Sequence, residues 1–176
     1  MEKRTLGMLT LATLAVAIAC GSSNDSTTPK SNVVNFKATM TPAGEPSVTG
    51  NPTGNGTFTA TLDTVTNVFT YTGSFTGLLT NVNNGHIHGP FTPGGAATQA
   101  SVILNFNTLP GATFTGFGTA TSGSVAGTTT LIASNQLSTQ VNGDSLKKLL
   151  LAGLTYINIH TTTNPGGEIR GQLLKQ

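Results

Sequence analysis

GTFTATLD, Gly56 to Asp63, places Phe58, Ala60 and Leu62 on one side of an extended chain and Thr57, Thr59 and Thr61 on the other. A period of two is the pattern of a strand that buries one face. VFTYTGSF, Val68 to Phe75, repeats it, setting Phe69, Tyr71, Gly73 and Phe75 against Val68, Thr70, Thr72 and Ser74. Joined by Asp63 to Asn67, the two segments predict a hairpin.

The same alternation continues outward from the hairpin. ASVILNFNTL predicts a strand with Val102, Leu104 and Phe106 on its apolar face and Ile103 and Asn105 opposite, and GSVAGTTTLIAS and LTYINIHTT add two more. Only SLKKLLLAG has helical spacing, with Ser145 as its expected N-cap and Gly153 as its stop. Many short strands punctuated by Gly, Pro and Asn, with one short helix, predict an all-β fold, an antiparallel β-sandwich or barrel. Threonine suits its wet face, where β-branching is favoured.

At the other end of the chain, MEKRTLGMLTLATLAVAIAC sets Lys3 and Arg4 ahead of an apolar run from Leu6 to Ala19. That run is shorter than the ~20 residues a helix needs to cross a bilayer, so it reads as a secretory signal. Ala17-Ile18-Ala19-Cys20 before Gly21 resembles a bacterial lipobox, which implies cleavage and lipid attachment at Cys20. The plainer alternative is an ordinary export signal. Residues 1–20 are thus a lipoprotein signal peptide, 21–32 a flexible polar tether, and 33–176 the folded body. The localisation that follows is exported and membrane-anchored, on the periplasmic face or the cell surface.

Cys20 is the only cysteine, so the body has no internal disulfide and packing must hold it together. Charged residues make up 8% of the chain, against about a quarter in an average globular protein. The few charges form no basic stripe, which argues against nucleic acid as a partner.

The three histidines fall in two short motifs. GHIHGP puts His86 and His88 on one strand face with Ile87 behind, their Cα atoms about 6.5 to 7 Å apart. LTYINIHTT puts Tyr156, Asn158 and His160 on one face, with Ile157 and Ile159 behind. If the two strands are neighbours, three imidazoles converge on one point, as a copper or zinc ion requires. Water, substrate or a carboxylate would complete the set, with Glu168 nearest in sequence. The competing reading is that the rings simply bond backbone carbonyls.

NPGGEIRGQL, Asn164 to Leu173, predicts a tight turn and then a strand with Glu168, Arg170 and Gln172 on one face. Glu168 and Arg170 read either as a surface ion pair, contributing about 0 to 1 kcal/mol, or as outer partners of the histidines beside Asn158. In the second case Glu168 orients a ring and Arg170 sets a positive charge beside the site.

GHIHGP followed by LLLAGLTYINIHTTTNPGGEIRGQL resembles the CHRD domain, a module named after chordin and found in many bacterial exported proteins; the likeness extends to FKATMTPAGEPSV, Phe36 to Val48. The resemblance implies an immunoglobulin-like fold, which has been linked by limited similarity to the copper-zinc superoxide dismutases. That link would match His86 and His88 to a copper-binding HxH strand and Arg170 to an active-site arginine. A dismutase needs four copper histidines, a zinc loop and a cysteine pair, whereas this chain has three histidines and one cysteine. Dismutase activity is therefore not expected.

Three functions remain, in order. The first is a non-enzymatic envelope module that binds a protein or glycan partner, with Gly89 to Ser101 and Ser138 to Asp144 as loops that could line the surface. The second is a Cu or Zn protein using His86, His88 and His160. The third is a redox metalloenzyme with an open fourth position. No catalytic residue is assigned, because no nucleophile has an evident base beside it.

Overall fold

A computed structural model describes residues 31–92, 99–139 and 141–176. Strands β1 (Val33–Met40), β2 (Asn55–Asp63), β3 (Val68–Thr76), β6 (Thr113–Phe114), β7 (Gly123–Thr130) and β10 (Leu174–Lys175) form one sheet, and β4 (Val82–His88), β5 (Val102–Asn105), β8 (Tyr156–Thr161) and β9 (Ile169–Gln172) form a second. Their orders are β10-β1-β2-β3-β7-β6 and β5-β4-β8-β9, with every ladder antiparallel. Among the described residues the chain is an all-β sandwich with one α-helix, as its alternation predicts. The residues read above as a signal peptide with Cys20, and all of the expected tether but 31 and 32, lie outside the described residues.

β2 and β3 form the expected hairpin, with Leu62 opposite Phe69 and Phe58 opposite Gly73. Their inner residues are buried and their threonines exposed. Phe36, Phe58, Phe69 and Tyr71 from the large sheet meet Ile87, Leu104, Phe106, Ile157 and Ile159 from the small one in a single apolar core. At its centre the Tyr71 ring lies 5.8 Å from that of Phe58 and 5.4 Å from that of Phe106. Such aromatic pairs add about 0.5 to 1.5 kcal/mol each to the burial of their area.

Two local expectations change. In β5, Ile103 and Leu104 are both buried and Val102 is 37% exposed. The ladder with β4 slips between Ile87, opposite Leu104, and His88, opposite Val102, so a bulge at Ile103 breaks the alternation. The helix, α1 (Gly143–Ala152), begins three residues earlier than its spacing suggests, and its N-cap is Asn142, whose side chain accepts from the Ser145 N–H at 3.0 Å. Ser145 is instead the residue whose amide is capped. Gly153 does end the helix, at a left-handed φ of 70°. Leu146 and Leu150 carry the helix into the core.

The position of Glu45 follows from β1. Past Met40, Thr41 leaves the large sheet and exchanges both backbone bonds with Arg170 of the small one, at 3.1 and 3.0 Å. A 3-10 turn at Pro42–Gly44 follows and sets Glu45 beside the small sheet. Gly44 lies so close to the Arg170 carbonyl that a side chain there would collide with it.

The capping assignment predicts that Asn142→Ala lowers unfolding stability by about 1 kcal/mol, while Ser145→Ala changes it by less than half as much. Urea unfolding of the two variants checks this, and the reverse ranking would restore Ser145 as the cap.

Candidate functional site

β4 and β8 are neighbours, with His86 opposite Asn158, His88 opposite Tyr156 and Asn84 opposite His160. Alternation sends Ile87, Ile157 and Ile159 into the core and turns His86, His88, Asn158 and His160 to the other face of the small sheet. Backbone turns cover that face, so the histidines keep only 7%, 3% and 6% of their surface exposed. One ring nitrogen of each histidine lies within 4.8 Å of the others.

Backbone oxygens orient two of the rings. His88 Nδ1 is 2.8 Å from the Ala100 carbonyl and His160 Nδ1 is 2.8 Å from the Pro165 carbonyl. A carbonyl only accepts, so each Nδ1 carries the hydrogen, and each Nε2 of a neutral ring keeps a lone pair. Those Nε2 atoms point inward, 3.0 and 2.9 Å from Asn158 Oδ1. His86 Nδ1 is 2.9 Å from His160 Nε2.

Asn158 is fully buried, and its amide nitrogen donates to Glu45 Oε1 at 3.1 Å. Gly167, at a φ of 128°, passes against both groups, and any side chain there would strike the Glu45 carboxyl and the amide. A platform closes the other side. The Tyr156 ring stacks 4.7 Å from that of His88, its hydroxyl accepts from the Ala100 N–H at 3.1 Å, and the Arg170 guanidinium lies 3.4 Å over the same ring and 4.1 Å over Phe91. Arg170 thus meets aromatic faces, a cation–π arrangement.

Glu168 is placed differently. It precedes β9, and its carboxylate accepts from the Leu79 N–H at 2.7 Å, the Thr161 hydroxyl at 2.6 Å and the Asn164 amide at 3.4 Å. Thr161 follows His160 and faces the opposite side of β8. Glu168 therefore ties the β8–β9 turn to the chain before β4, and the carboxylate next to the histidine cluster is Glu45. In the sequence, Glu45 stands out only as a lone acid after the Pro42-Ala43-Gly44 turn.

Burial sets the protonation of the cluster. It pushes His86 down to about 3, helped by the charges that His160 and His88 would carry, and His88 to about 4 against the pull of its bond to Ala100. His160 is lowered for the same first reason. The Glu45 carboxyl is raised by burial to about 7, although the Asn158 bond and Arg170 act to lower it. Neutral imidazoles with inward lone pairs are the form in which histidine binds copper or zinc, and the donor set fits such an ion.

The family model described as CHRD domain matches residues 36–173. No curated protein matches the chain, and no solved structure does.

These shifts make stability depend on pH. Unfolded histidines take up protons as pH falls through about 6.5, whereas the folded rings resist, so their contribution is complete above that pH and is lost toward pH 4. Glu45 opposes them, because between 4.5 and about 7 the folded state holds its proton more firmly than the unfolded chain. Three groups outweigh one. The unfolding free energy is expected to fall between pH 6.5 and 5, by up to about 1.4 kcal/mol per pH unit for each uncompensated proton, lowering the urea midpoint with it, and Glu45→Gln should steepen the fall. A midpoint equal or higher at pH 5 would contradict this account.

Proposed function

The chain belongs to the CHRD domain family, and from that premise we propose that it is an exported, membrane-anchored module of the bacterial cell envelope that acts by binding, not by turnover. The CHRD family is not a known enzyme family. The observation that carries the proposal is the contrast between the two outer faces of the sandwich. The polar cluster on the small sheet is roofed over, while the large sheet presents an open face of hydroxyls. Asn35, Lys37, Thr59, Thr61, Thr70 and Thr72 line a depression of about 340 Å³ there, and a second of about 460 Å³ adjoins it along Thr113 and Thr128. The first depression also borders Phe36, Ala60 and Tyr71 and exposes more carbon than oxygen or nitrogen, so the surface suits an uncharged partner with apolar faces of its own, a glycan or a protein segment, and offers little to nucleic acid. The hydrogen bonds of the histidines go to other rings, an amide and backbone carbonyls, an arrangement without a base poised beside a nucleophile.

The anchor assigned to Cys20 supplies one test. Cys20→Ser is expected to move the protein from the membrane fraction to the soluble one with its fold intact. Retention of the variant in the membrane would count against lipid attachment.

A second reading is supported by the inward lone pairs of His88 and His160 and the His86 ring nitrogen beside them, a grouping that favours a Cu or Zn ion held by His86, His88 and His160. Elemental analysis of the protein purified without chelator is expected to give about one ion per chain, and His86→Ala and His160→Ala to abolish it. Metal-free protein whose variants only lose stability would leave the envelope module as the sole function.

A further inference from the structure

The cluster contains a conflict between acceptors. His88 Nε2 and His160 Nε2 carry lone pairs because their Nδ1 hydrogens are committed to Ala100 and Pro165, yet both point at Asn158 Oδ1, 3.0 and 2.9 Å away. A carboxamide oxygen also only accepts. In this amide orientation neither ring offers Asn158 Oδ1 a hydrogen, the His86 Nδ1–H being able to serve only His160 Nε2, and a cation among these buried atoms removes the conflict.

We propose that Asn158 Oδ1 is a fourth ligand, completing with His86, His88 and His160 a closed three-nitrogen, one-oxygen site for a divalent first-row transition metal. This rests on the metal reading above and goes further, since it fills the position that a substrate or water would otherwise take. Metal–ligand bonds of 2.0 to 2.1 Å in a tetrahedron put ligand atoms about 3.3 Å apart. Asn158 Oδ1 lies 3.0 and 2.9 Å from the Nε2 atoms of His88 and His160, and His86 Nδ1 lies 2.9 Å from that of His160. The three histidine ligand atoms all lie within 4.8 Å of one another, so loading draws the wider pairs together. The amide is aimed from behind, by its bond to Glu45 Oε1 and by Gly167 against both groups. Glu45 therefore acts as a positioning residue, holding the oxygen forward. A closed site holds its ion and gives it no free position, so the metal would brace β4, β8 and the turns that roof them.

The full-length chain in detergent, loaded with Co2+ as a spectroscopic probe and then titrated with Zn2+, tests this. The wild type is expected to take up one Co2+ with the intense visible band of a four-coordinate ion. Asn158→Leu, which keeps the size and removes the donor, should bind Zn2+ ten- to a hundredfold more weakly and change the Co2+ band. Asn158→Asp, nearly isosteric and anionic, should keep the intensity, shift the band and tighten binding. Should Asn158→Leu fail to fold, the Asn158→Asp band carries the decision. Co2+ spectra and Zn2+ affinities unchanged in the variants would remove Asn158 from the ligand set while leaving the three-histidine site standing. A folded wild type that binds neither ion would overturn the metal reading itself. The amide would then be turned the other way, its NH2 donating to both rings and a protonated Glu45 donating to its oxygen.

Discussion

Ile87 faces Ile157 across the β4–β8 ladder, and the polar cluster depends on that pairing. The core claims Ile87, Ile157 and Ile159, so the residues between them must face outward. A slip of one residue would turn His86 and His88 into hydrocarbon and the isoleucines toward the turns, at a cost in buried area alone of several kcal/mol. The register that the apolar core demands is also the one that sets His86 opposite Asn158 and brings His160 alongside.

The sandwich therefore has a polar layer outside its apolar core, on a sheet face that antiparallel sandwiches commonly leave to water. Every strand position of β8 is buried, three of them against the core and the others under the roof. That roof has separate supports. The Thr41–Arg170 bridge brings Glu45 from the far sheet, Ala100 is tied through its N–H to Tyr156 and through its C=O to His88, and the turn after β8 supplies Pro165 and Gly167. Glu168, buried and bonded to Thr161 and Leu79, fixes that turn from the core side.

How much of this is legible in the sequence depends on whether information is carried by side-chain period or by backbone. The hairpin of β2 and β3, the apolar faces of both, and the shared face of Tyr156, Asn158 and His160 follow from alternation, which is local. The meeting of GHIHGP with LTYINIHTT is legible as well, because so few histidines leave little choice of partners. The carbonyls of Ala100 and Pro165 are not, since every residue carries one and only the fold selects which is used. Glu45 reaches the cluster through a crossover between sheets, a long-range event with no periodic trace. The bulge at Ile103 and the cap at Asn142 are single-residue departures from a regular pattern, and a regular pattern cannot announce them. Glu168 and Arg170 stand two apart, but the sheet begins only at Ile169, so alternation does not govern Glu168.

The large sheet ends on both sides in strands of only two residues, β6 and β10, and the β9 edge of the small sheet is partly met by Thr41. A surface rich in threonine and poor in charge gives neighbouring copies little electrostatic repulsion, which is the usual barrier to sheets joining edge to edge. Edges this short expose few free N–H and C=O groups to template another strand. In this chain, resistance to aggregation rests on where its strands stop.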